Sequence, residues 1–73
     1  MKNNIWTLDG TNEAFDTLKD AKWHVEIAYT PAERMKYLRN SSICHVVNDE
    51  VVSTVSVKID NNGNFKFGRV EKY

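Results

Sequence analysis

Trp23-His24-Val25-Glu26-Ile27-Ala28-Tyr29-Thr30-Pro31-Ala32-Glu33 is the stretch on which the fold turns. Its first seven residues alternate: Trp23, Val25, Ile27 and Tyr29 fall on one side, and His24, Glu26 and Ala28 on the other. That period of two predicts a β-strand over 23–29. The last four residues form a helix start. Thr30 and Glu33 have the spacing of a capping box, in which hydroxyl and carboxylate each satisfy the other residue's amide. Pro31 stands at the first helical position, where its missing N–H costs nothing. Ala32, Met35 and Leu38 continue the apolar stripe, and Asn40-Ser41-Ser42 ends the helix.

On the N-terminal side, Ile5-Trp6-Thr7-Leu8 is rich in strand formers and stops at the turn signal Asp9-Gly10. Thr11 or Asn12 can then cap a helix whose apolar residues Ala14, Phe15, Leu18 and Ala21 recur at helical spacing up to Lys22.

On the C-terminal side the pattern is a β-meander. Strands are expected at 43–47 and 51–59, joined by Asn48-Asp49-Glu50. A three-residue loop Asn61-Asn62-Gly63, with Gly63 left-handed, sets the last hairpin. Ile59 then faces Phe65, Val57 faces Phe67, and Lys58 faces Lys66 on the other side of the sheet. Unbroken pairing would put Arg69 opposite Val55, on the core face. A bulge at Gly68 brings Val70 there instead.

The expected fold class is α+β: a two-layer sandwich of order β-α-β-α-β-β-β, with a mixed sheet, two short helices on one face and a C-terminal β-meander. The crossovers 10–22 and 30–42 are about as short as parallel connections allow. A second arrangement makes the meander the sheet proper, with the first strand added at an edge. Residues 1–73 form a single small domain. A chain of this size buries only about 60% of the surface its unfolded form exposes.

Ten Lys+Arg balance ten Asp+Glu. This balance argues against a general polyanion coat and against an acidic DNA mimic. The sum hides a division: residues 1–33 carry three cations against six carboxylates, a net −3, and residues 34–73 carry seven against four, a net +3. Glu13, Asp16 and Asp20 have helical spacing and form an acidic stripe. Lys58, Lys66, Arg69 and Lys72 form a basic patch on the last hairpin. Both are expected partner-binding surfaces, although a solvated helix face and lysine protection of a sheet edge account for such charges as well.

No catalytic constellation is visible. Adjacent strand residues Cys44 and His45 point to opposite faces, so they cannot form a thiolate–imidazole pair. Whichever faces inward is expected to be a packed residue. His24 and Glu26 share a strand face but have no third metal ligand nearby. Asp60-Asn61-Asn62-Gly63-Asn64 begins like a calcium loop, yet Phe65 occupies the position of that loop's glycine. No metal and no cofactor is expected. The single Cys44, the absence of a signal-like apolar run in Met1–Trp6 and the lack of a ~20-residue apolar span point to the cytoplasm and away from a membrane.

The ending Ile59-Asp60-Asn61-Asn62-Gly63 with Phe65-Lys66-Phe67-Gly68-Arg69-Val70 is similar to that of ribosome-dependent mRNA interferases. The likeness covers the last third of the chain. It lacks that family's C-terminal histidine, and of its tyrosine only the terminal Tyr73 is present. Compact, asparagine-rich chains of this kind also resemble accessory proteins of phages and other mobile elements. The leading expectation is a small non-catalytic accessory or inhibitor that docks on another protein, with self-association a natural extension. A weak nucleic-acid binder using the basic hairpin is the alternative. A toxin-like nuclease, with His24 or His45 as acid or base, is the third reading.

Overall fold

The computed structural model describes residues 4–73. Met1, Lys2 and Asn3 of the N-terminal stretch lie outside them. The chain runs β1 (Asn4–Leu8), β2 (Ala14–Phe15), α1 (Leu18–Ile27), α2 (Pro31–Tyr37), β3 (Ser42–Val47), β4 (Glu50–Ile59) and β5 (Phe65–Lys72). It is a small α+β fold with two short helices and a C-terminal meander. The five strands are ordered β2-β1-β3-β4-β5, and every neighbouring pair is antiparallel.

Two expectations are corrected. Residues 23–29 are not a strand, because most of them belong to α1. Leu18, Ala21 and Val25 recur at i, i+3 and i+7 and turn inward, and Ala21 and Val25 are fully buried. Trp23 and Ile27 completed the apparent alternation only because both are apolar; they are 60% and 56% exposed. Residues 10–22 are likewise not one helix. Gly10 adopts φ 84°, and the Thr11 amide and hydroxyl both donate to the Leu8 carbonyl. The chain therefore doubles back at once, and β2 pairs with β1 through Trp6–Phe15 and Thr7–Ala14. Thr17 is the true helix cap, its hydroxyl accepting from the Asp20 amide at 3.1 Å. Without a strand between the helices there is no parallel crossover, so the sheet is antiparallel rather than mixed. Its layout is the meander β3-β4-β5 with β1 added to the free edge of β3.

The other local readings hold. Thr30 and Glu33 form the capping box, with bonds of 3.0 and 3.2 Å, and Pro31 opens α2. Asn48 and Asp49 are both left-handed, as the tight β3–β4 turn requires. Lys58 faces Lys66 and Ile59 faces Phe65. From Val57–Phe67 to Val55–Val70 the register advances by two residues on β4 and three on β5. The additional residue lies at Gly68 and Arg69, where the bulge was expected. Val70 reaches its place opposite Val55 but stays 43% exposed on the edge strand.

The core joins Leu8 of β1, Ala21 and Val25 of α1, Leu38 after α2, Ile43 of β3, and Val55 and Val57 of β4. Trp6, Phe15, Phe65 and Phe67 pack around it. The opposite face of the sheet, with Thr7, Cys44, Thr54, Ser56 and Lys58, has no helical layer.

Arg34 of α2 ties the layers together. It is 9% exposed, and the hydrogen bonds it donates among the described residues go to backbone carbonyls. Its Nε donates to the Val25 carbonyl at 3.3 Å, its Nη2 to the Glu26 carbonyl at 3.2 Å and its Nη1 to the Gly63 carbonyl at 2.7 Å. Two of these acceptors lie in the last turn of α1, where carbonyls lack intrahelical donors and the helix dipole favours a cation. The guanidinium also lies 4.8 Å from the Phe65 ring centroid. Gly63, with φ 81°, meets α2 so closely that a Cβ there would come within 2.5 Å of Pro31.

Arg34→Met should lower stability by about 2–4 kcal/mol, since it strands buried carbonyls. Arg34→Lys should recover only part of the loss, because an ammonium lacks the planar fork. Urea unfolding followed by tryptophan fluorescence measures both.

Candidate functional site

The described surface offers two regions that packing does not explain. The first is the outer face of α1. Trp23 and Ile27 stand at i and i+4, where neighbouring turns present them as one apolar strip. Trp23 forms a wall of two hollows. One, of about 620 Å³, lies toward β5 between Leu18, Lys22, Trp23, Glu26 and Phe67. There the Lys22 ammonium sits 5.3 Å from the Phe67 ring centroid. The other, of about 350 Å³, lies toward β2, and the described residues that line it include Asp16 and Asp20. Phe15, Trp23, His24 and Ile27 complete it.

The second region is the open face of the sheet near the last hairpin. Lys58 and Lys66 are cross-strand neighbours there. Beside them Arg39, Ser42, Ser56 and Lys58 border a polar hollow of about 470 Å³.

The expected site residues are only partly brought together. Asp20 lies in the first turn of α1, but Glu13 and Asp16 precede the helix, so the three do not form a helical stripe. Asp16 and Asp20 nevertheless meet at the hollow beside Trp23. Glu13 lies toward Tyr29: burial chiefly, then the charges of Glu13 and Glu33, push the Tyr29 phenol above its ordinary pKa. In the basic set, Lys58 and Lys66 adjoin, and Arg69 is the exposed bulge residue. Lys72 pairs with Ser53 near the far end of β5, roughly 20 Å along the strand from Lys66. The four cations are therefore not one patch. Arg39, counted in the sequence only as a charge, joins Lys58 from a separate segment. The exposed Trp23 was missed because the strand reading grouped it on one side with Val25, Ile27 and Tyr29.

The histidines and the cysteine are spread apart. His45 lies on the helix-covered side, stacked on Trp6 at 4.0 Å between ring centroids and hydrogen-bonded to the Asn4 side chain. Both His45 and Cys44 are half-buried. Cys44 is on the open face. Burial first, then the charge of Asp9, raise its thiol pKa, against a smaller lowering by a hydrogen bond with Thr7. A thiol so placed stays protonated at neutral pH and is a poor nucleophile. His24 belongs to α1, so its expected strand pairing with Glu26 does not exist. Its ring lies 5.0 Å from Phe15 and 5.5 Å from Tyr29. Among the described residues, no three of His, Cys, Asp and Glu gather closely enough to hold a metal ion. Asp60 of the calcium-like loop instead accepts from the Asn62 and Asn64 amides at 2.8 and 2.9 Å. No described helix is long and apolar enough to cross a membrane.

No family model matches this chain, and no curated protein or solved structure matches it significantly.

The Asp60 contacts give a pH dependence. The Asn64 and Asn62 amides hold its carboxyl below its ordinary value of 3.8. Bonds to the ionised form stabilise the loop fully above that unfolded value, and the gain is lost as pH falls through the lower native one. Protection of the Asn62 and Asn64 amides, taken against the intrinsic exchange rate at each pH, should therefore be lost in acid before that of the core amides. In Asp60→Ala it should already be lost at neutral pH.

Proposed function

We propose that the chain is a non-catalytic accessory or inhibitor that acts by docking on another protein through the outer face of α1. The observation that carries this reading is the solvent-facing pair Trp23 and Ile27, set between two hollows. A large aromatic left in water on a regular helix gives the monomer little. In an interface it supplies a rigid, amphipathic contact of the kind that dominates binding energy. Phe67 and Phe15 line the hollows on its two sides, so the apolar contact area extends beyond the indole itself.

The chemistry of the hollow toward β2 says what the partner should present. Apolar walls with the Asp20 carboxylate suit an aliphatic or aromatic side chain flanked by Lys or Arg. Such a contact joins a desolvated centre to a charged rim, and the rim sets orientation and association rate more than affinity.

Comparative affinity capture from the native host tests the reading. Proteins retained by the unaltered chain should be lost with Trp23→Ala, which should weaken binding about thirtyfold or more. Asp20→Lys should weaken the same contacts and reduce their salt dependence. Trp23 is exposed enough that Trp23→Ala should hardly move the unfolding midpoint, and Asp20→Lys, which sets a cation in the first turn of α1, should lower the midpoint only slightly. Identical retention by the unaltered chain and Trp23→Ala would refute docking through this face.

A further inference from the structure

The polar hollow on the other side of the molecule carries a separate inference. Its walls are Arg39 and Asn40 of the loop after α2, Ser42 at the start of β3, and Ser56, Lys58 and Ile59 of β4. It exists because β4 runs on past the end of β3. Ser42 and Ser56 are the last cross-strand pair, and the Val57 amide then donates to the Ser41 carbonyl at 3.0 Å. Beyond that point no strand covers the β3 side of β4. Along a strand, successive odd residues turn their amides the same way, so the Ile59 amide follows Val57 and is directed into the hollow.

The charges around it lack compensation. Lys58 and Lys66 are directly opposed across β4 and β5, an arrangement that is mildly destabilising without a counter-charge. Among the described residues neither has a carboxylate partner. Arg39 makes one long contact, 3.4 Å from Nη2 to the neutral Asn61 side chain. The carboxylates closest in sequence and register are otherwise placed. Asp60 is bound to its own loop amides. Asp9 lies beyond Ser42, its amide donating to the Ser42 carbonyl at 2.8 Å, about 10 Å from β4 across the sheet. Protection of a sheet edge by lysine explains one cation at such a place. It does not explain two in opposition and a third from another segment.

The floor is equally particular. Gly68 lies against Ser56, and a Cβ on it would stand 3.4 Å from the Ser56 Cβ. With glycine there, position 68 places no side chain over Ser56, which is exposed. Phe65 and Phe67 both pack with the core, so no aromatic is offered here for a base to stack on.

We propose that this hollow is a phosphate-binding site, formed by Arg39 and Lys58, the Ser42 and Ser56 hydroxyls and the Ile59 amide, with Lys66 adding to its field. A guanidinium, an ammonium, hydroxyls and a main-chain N–H are the donor set that recognises a phosphate oxygen cluster. The group is either the backbone phosphate of a nucleic acid or that of a small phosphorylated compound. The site is independent of Trp23.

Titration of the ¹⁵N-labelled full chain tests this with two probes: inorganic pyrophosphate and a short oligouridylate. Saturable shifts are expected at the amides of Ser56 and Ile59 and at Arg39 Nε. The affinity should fall with added salt. Response to both probes or to pyrophosphate alone supports the site and points to small phosphates as sufficient ligands. Response to the oligonucleotide alone supports it as a backbone contact. Arg39→Gln and Lys58→Gln should each weaken binding, and Lys58→Glu with Lys66→Glu should weaken it about tenfold or more. Gly68→Val should weaken it by covering the Ser56 hydroxyl. Trp23→Ala should leave it unchanged. The spectrum of each variant reports its fold directly. No saturable shift with either probe, or full affinity in folded Arg39→Gln and Lys58→Gln, would overturn the proposal.

Discussion

A single buried cation organises this molecule. Arg34 reaches from α2 to the last carbonyls of α1 and to the tip of the β4–β5 hairpin, so one side chain joins the two helices to a loop 29 residues further along. A buried guanidinium is costly to desolvate and persists only when its donors are occupied. Here backbone carbonyls and the face of Phe65 meet that need. The arrangement depends on Gly63 being a glycine. Only there can the hairpin loop adopt φ 81° and lie against Pro31 closely enough to bring its carbonyl to Arg34.

That clasp also sets which surfaces remain open. With α1 held against β1, β2 and β3, its inward residues Ala21 and Val25 are covered, and Trp23 and Ile27 must face solvent. With both helices on one side, neither helix covers the opposite side of the sheet. The two regions of interest thus arise from one layout. The α1 strip is apolar with acidic walls, whereas the hollow by Lys58 is polar and cationic. The neutral total charge of the chain conceals this division between places as well as between halves of the sequence.

Much of the C-terminal half was legible because its determinants are local. The left-handed glycine in Asn61-Asn62-Gly63 and two apolar–aromatic pairs specify the hairpin register. The need to keep Arg69 off the core face then implies a bulge at Gly68. Thr30, Pro31 and Glu33 mark a helix start for reasons contained within four residues. The N-terminal half was misread where two periods overlap. Val25 belongs both to the alternation Trp23, Val25, Ile27 and to the helical series Leu18, Ala21, Val25. Seven residues cannot decide between them. Asp9-Gly10 was recognised as a turn, yet nothing local shows that Ala14 and Phe15 return to pair with β1.

By itself, then, the sequence determined the meander, the register of its last hairpin, the capped start of α2 and the two opposing charge populations. Each rests on steric or hydrogen-bonding rules that act over a few residues. Tertiary structure alone decided that 23–27 is helical, that the sheet is antiparallel, that Trp23 is exposed and that Arg39 meets Lys58. These outcomes depend on which alternative buries more apolar surface against the rest of the chain. That comparison involves Leu8, Ile43 and Val55 together, and no window of sequence contains all three.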